Sequence, residues 1–150
     1  MFGKMNLNQN KIRNLLKNLV NSDDYETRAA TPEEIAIFNK NANQYQVEQH
    51  VIDQLVDLYE VANQYNYEIV LAFHNCTDTI IFEWWNDDER ELWLGQRDCD
   101  TLRWAKGKFC LGDASNISYS DAYEFETLIG LIEGCIKDIE EADYFGEEQE

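Results

Sequence analysis

The chain has 150 residues, with 12 Lys and Arg against 30 Asp and Glu and a formal net charge of −18, a balance that repels nucleic acid rather than binding it. Hydrophobic residues make up 44% and aromatic residues 13%; that is enough for one packed domain, which at this length buries roughly two-thirds of its unfolded surface. No stretch approaches the ~18 uninterrupted apolar residues of a membrane span, and the start, MFGKMNLNQNKIRNLL, lacks the apolar region and small-residue cleavage site of a secretory signal.

These totals point to a cytoplasmic protein in which the widely spaced Cys76, Cys99, Cys110 and Cys135 are unpaired thiols. The acidity is uneven. Residues 138–150 hold seven acids and no base, and residues 82–100 hold seven acids against Arg90 and Arg97. Such charge serves solubility, and it also suits a surface for a basic partner.

In chain order, Ile12, Leu15, Leu16, Leu19 and Val20 recur at helical spacing, so an amphipathic helix is expected over Gln9–Val20. Asn21–Ala30 is polar and breaks it. Thr31-Pro32-Glu33-Glu34 then reads as a helix start, with Thr31 as N-cap, Pro32 at the first helical position and Glu34 closing a capping box. That helix is expected to carry Ile35, Ile37 and Phe38 and to end near Asn39, before an Asn/Gln loop over Asn41–Gln46. From Val47 the helical period returns through Val51, Leu55, Leu58, Tyr59 and Ala62, and Asn63–Asn66 ends it.

Tyr67–Asp113 holds all four tryptophans and reads as a meander of short strands. Tyr67–Phe73 and Thr79–Trp85 are expected strands around a polar turn at His74–Asp78. Asn86–Arg90 is a second polar break, Glu91–Leu94 resumes the apolar pattern, and Ala105–Lys108 turns between Leu102–Trp104 and Phe109–Leu111. Gly95, Gly107 and Gly112 look like turn glycines. Asp113–Ser120 is a loop, with Ser118 and Asp121 as its most box-like cap. A last helix follows on Phe125, Leu128, Ile129, Ile132, Ile136 and Ile139, where Gly130 and Gly134 lower the intrinsic propensity, so that packing must hold it. Tyr144 and Phe145 interrupt the acidic tail. Helices outside a contiguous run of strands argue for an α+β fold, a central and mostly antiparallel sheet with N-terminal helices and one C-terminal helix.

Few constellations suggest chemistry. His74, Cys76, Cys99 and Cys110 lack the paired spacing of a zinc site, and no zinc-deaminase pattern, nucleophile elbow, P-loop or dinucleotide fingerprint occurs. No metal or cofactor is therefore expected. Asp98 and Asp100 form a carboxylate pair only if they lie in a strand; with His74 they make the rival reading, a small enzyme or small-ligand protein. In a strand the adjacent Trp84 and Trp85 face opposite sides, one joining the core with Ile80 and Phe82, the other sharing a face with Ile81 and Glu83. A tryptophan beside Asp87, Asp88 and Glu89 otherwise suits a protein-interaction hot spot. The candidate partner-binding set is Glu83, Trp84, Trp85, Asp87, Asp88, Glu89, Glu91, Trp93, Asp98 and Asp100, an acidic rim around an aromatic centre.

Leu55–Asn63 (LVDLYEVAN), Leu92-Trp93-Leu94-Gly95, Phe109–Ser118 (FCLGDASNIS) and the helix over Phe125–Ile136 resemble the SUKH superfamily, the SMI/KNR type of cell-wall-assembly and toxin-immunity domains. The Asn-Gly usual after the first of these motifs is Asn63-Gln64 here, no Leu-Pro precedes it, and no ligand residues carry over. The resemblance implies an α+β domain with a central sheet. It further implies a non-enzymatic protein that binds and neutralises a cognate toxin, often a nuclease, or else a regulatory scaffold. A basic toxin domain meeting an acidic inhibitor gains encounter rate from complementary potential.

Overall fold

The computed structural model describes residues 6–19, 26–67, 71–97, 100–113 and 124–141. Asp98, Cys99, the Ser118/Asp121 cap, Tyr144, Phe145 and the tail beyond Glu141 lie outside the described residues. The elements run α1 (Leu7–Leu19), β1 (Glu26–Arg28), α2 (Pro32–Gln44), α3 (Gln49–Ala62), β2 (Asn63–Tyr67), β3 (Leu71–Phe73), a 3-10 turn (Thr79–Phe82), β4 (Leu92–Arg97), β5 (Asp100–Ala105), β6 (Lys108–Asp113), β7 (Glu124–Phe125) and α4 (Leu128–Glu141). The strands form one antiparallel sheet in sequence order β1 to β7. The fold is α+β, as the pattern of helices around contiguous strands implies.

Register sorts the side chains of the sheet. Leu92, Trp104, Phe109 and Phe125 are cross-strand partners on one face, with Leu102 opposite Leu111 two residues along. This face closes a single core with Ile12 and Leu16 of α1, Phe38 and Ala42 of α2, Leu55, Leu58 and Tyr59 of α3, and Leu131, Ile132 and Cys135 of α4. Trp93, Arg103 and Cys110 share the opposite face.

Several expected boundaries move, each for a local reason. The capping box forms, with Glu34 N–H donating to Thr31 Oγ1 at 3.2 Å and Thr31 N–H to Glu34 Oε1 at 2.9 Å. The helix runs past Asn39 to Gln44 because Ala42, one turn after Phe38, continues the buried stripe. It stops where Gln46 adopts φ 61°: Gln46 N–H donates to Asn43 O and Val47 N–H to Ala42 O, both at 3.0 Å. That is a Schellman closure with glutamine in the position that favours glycine. Asn63 leaves helical geometry and opens β2 directly. The expected strand Tyr67–Phe73 is instead a reversal, because Tyr67 pairs with Leu71 and Asn66 with Ala72.

Thr79–Trp85 is not a strand. Asn75 Oδ1 accepts from Thr77 N–H and Asp78 Oδ1 from Ile80 N–H, and these side-chain bonds wind the backbone before its β-branched residues can extend. Phe125 belongs to β7 rather than to the last helix, and the glycines of α4 make room for it. A Cβ at Gly134 would stand 2.4 Å from Phe125 Cζ, so the residue that weakens the helix is what lets the helix lie on the sheet.

Candidate functional site

Between the 3-10 turn and β4 the chain makes a small arch. Trp85 and Arg90 form an isolated antiparallel bridge, and Asn86 brackets what lies between them. Its N–H donates to Glu89 O at 3.0 Å, while its Oδ1 accepts from Asp88 N–H at 2.8 Å and Glu89 N–H at 2.7 Å. Asparagine supplies a turn from its own side chain, so Asp87, Asp88 and Glu89 are held outward and exposed. Glu83, which caps the 3-10 turn, is exposed as well.

The adjacent tryptophans do part to opposite sides, with the assignment reversed. Trp85, not Trp84, packs against the core, 6.4 Å from Trp104 at 18° and edge-on to Tyr45. Strand alternation would have put Trp84 with Ile80 and Phe82; the 3-10 turn breaks that alternation. Trp84 lies instead over the opposite sheet face, stacked on Trp93 at 4.5 Å and 14°, with the Arg103 guanidinium 4.3 Å from its ring on the cation–π pattern. On Trp93, the His74 ring stands edge-on at 4.8 Å. Arg103, Trp84, Trp93 and His74 form a ladder, and Trp93 is fixed by its indole N–H on Gly95 O at 3.0 Å.

The acids are not one rim. Glu91 turns inward and pairs with Arg103 at 2.8 Å, the two side chains 14% and 5% exposed. Arg103 Nε also donates to Thr101 Oγ1 at 2.9 Å, so the charge of Glu91 is matched inside the structure. Asp100 is half-buried at the start of β5, opposite Arg97. Asp98 lies outside the described residues. Of the expected rim, Glu83, Asp87, Asp88 and Glu89 remain as exposed carboxylates.

A cleft of about 300 Å³ lies beside the arch, lined by Asp87, Asp88, Glu89, Arg90, Glu91, Trp104, Lys106 and Gly107. Lys106 at φ 55° and Gly107 at φ 80° form its lip, the two-residue turn of the β5–β6 hairpin. Its aromatic component is Trp104, 5% exposed, rather than Trp84, Trp85 or Trp93. The Lys106-Gly107 turn, legible in the sequence, fixes the β5–β6 register that sets Trp104 opposite Phe109; the place of Trp104 beside the arch comes from its pairing with Leu92 in β4. A second cleft, of about 430 Å³, runs between α1, α3 and the start of α4, with Leu7, Lys11, Ile12, Gln54, Asp57 and Leu128 in its walls. Neither cleft is lined by His74 or Asp100.

Among the described residues no three His, Cys, Asp or Glu side chains are grouped to hold a metal ion. Cys76 and Cys110 are free thiols, and both are buried, as is Cys135. Burial pushes the Cys76 and Cys110 thiols up to about 11, leaving little thiolate for nucleophilic work at neutral pH. Among the described residues, no helix is long and apolar enough to cross a membrane. No protein-family model, curated protein or solved structure matches the chain.

Proposed function

We propose that this chain is a protein-binding domain without chemistry of its own, an immunity-type protein that neutralises a basic toxin domain in the cytoplasm. The observation that carries the reading is the arch: three exposed carboxylates on a backbone pinned by Asn86, beside a cleft with an aromatic wall. A rigid charged surface loses little conformational freedom on docking, and its potential steers a basic partner. The SUKH-like motifs support the same reading. The rival, a small enzyme built on His74, Asp98 and Asp100, draws no support from the His74 ring, which among the described residues stands edge-on to Trp93 and feels the charge of Asp78.

The first candidate partner is the product of the neighbouring gene. Co-expression of a toxin domain encoded there should give a one-to-one complex on size exclusion and should restore growth. A toxin that remains lethal and elutes alone would overturn the reading.

A further inference from the structure

The segment His74–Asp78, between β3 and the 3-10 turn, is tied to its surroundings at separate points. His74 N–H donates to Leu94 O at 3.0 Å, Cys76 N–H to Asn63 Oδ1 at 2.9 Å and Cys76 Sγ to Glu34 O at 3.7 Å, while Asn63 Nδ2 reaches Asn75 Oδ1 at 3.4 Å. Other bonds are internal to the segment. Asn75 Oδ1 accepts from the N–H and the hydroxyl of Thr77, and Asn75 O accepts from Asp78 N–H. A turn bonded in this way to itself moves as a unit, since much of its own polar surface stays satisfied when it leaves.

The imidazole of His74 seats this turn on β4. It stands edge-on to Trp93 at 4.8 Å, and its Nε2 is buried with no hydrogen-bond partner among the described residues. A buried nitrogen without an acceptor is better left unprotonated, so the seat fits neutral imidazole with its proton on Nδ1. A proton on Nε2 creates a donor and a charge where no acceptor stands, and an aromatic ring offsets only part of that cost. The charged groups around it do not change the balance. Asp78, on the same turn, pulls the pKa up by its charge, and burial outweighs it. From β4 come the neutral Trp93 ring and Leu94 O; Arg103, at the far end of the ladder, is a cation paired with Glu91. Lifting the turn gives Nε2 to water, which supplies the acceptor. We infer that His74–Asp78 is an acid-operated latch: a proton taken up at His74 Nε2 lifts the turn from β4 and from Asn63 while the rest of the sheet stays paired.

Native-state hydrogen exchange, followed by NMR on the full-length ¹⁵N-labelled protein, tests the latch. From about pH 7 to about pH 5, after correction for intrinsic exchange, the His74 and Cys76 amides should lose protection by at least about threefold. Their exchange should be insensitive to low urea, since a local opening exposes little surface, whereas exchange in β5 and β6 should accelerate with urea. His74→Phe, which keeps a ring for Trp93 without a titrating nitrogen, should abolish the pH response. Protection independent of pH, a pH response that survives in His74→Phe, or turn amides that share the urea dependence of β5 and β6 would each overturn the latch. The last of these would mean that acid opens the whole molecule instead. Should His74→Phe not fold, the imidazole resonances of the unaltered protein decide. A titration midpoint below 6.5 that tracks the turn amides supports the latch, and a midpoint at or above 6.5, or one that the amides do not follow, overturns it.

Discussion

Arg103 is held from three directions: by Glu91, by Thr101 and by the ring of Trp84. The same ladder ends on His74, whose buried Nε2 has no partner among the described residues. Burial lowers the His74 pKa below 6.5, outweighing the opposite pull of Asp78. The folded state thus prefers neutral imidazole. The resulting stability is present above pH 6.5 and is lost as pH falls through the depressed folded value. Glu34 works in a lower window: the Arg28 guanidinium, with the Thr31 N–H, holds its carboxyl at about 2 against 4.5, so its contribution is intact above pH 4.5 and fades toward pH 2. Urea midpoints should therefore fall between about pH 7 and about pH 5, and His74→Leu should flatten that interval while leaving the steeper loss in stronger acid. An unchanged slope in the variant would show that His74 is not the titrating group. None of this ladder was legible in the sequence. The acids and tryptophans were visible as a cluster, but their partners depend on Trp93 lying opposite Arg103, a register that no local pattern states.

At the scale of elements, the signals that succeeded were self-contained. The capping box of α2 needs only four consecutive residues, and the stripe of α3 needs only its own period. The failures came where a short-range bond or a distant ring decided the outcome. Thr79–Phe82 has the composition of a strand but is wound by Asn75 and Asp78, and α4 begins late because Phe125 is taken into the sheet opposite Phe109. The end of α2 offers a direct test. Gln46 sits at φ 61°, a conformation that costs a residue with a Cβ about 1–2 kcal/mol. Gly there gives back part of that gain through the greater entropy of its unfolded chain. Gln46→Gly should stabilise the fold by about 0.5–1 kcal/mol, read as a higher denaturant midpoint with unchanged slope. A lower midpoint would mean that the Gln46 side chain, not the backbone closure, holds this corner.

For the molecule as a whole the decisive quantity is charge, and here position matters more than total. The net −18 was legible at once; that Glu91 is neutralised by Arg103 while Asp87, Asp88 and Glu89 stay exposed was not. Charges remote from an interface act on diffusional approach and are screened within about 8 Å at physiological salt, whereas contacting charges also set how long a complex lasts. The segment 142–150 brings Asp143, Glu147, Glu148 and Glu150 and no base, so removing it changes the total charge without altering the arch. Ending the chain at Glu141 should slow association with a basic partner by less than about tenfold at low salt, within the range of electrostatic steering. Dissociation should stay the same, and the difference should vanish near about 0.5 M salt. Neutralising the arch at Asp88 and Glu89 should instead speed dissociation as well. If the truncation abolishes binding while the arch variant dissociates at the original rate, the partner is held by the tail and the contact surface is not the arch.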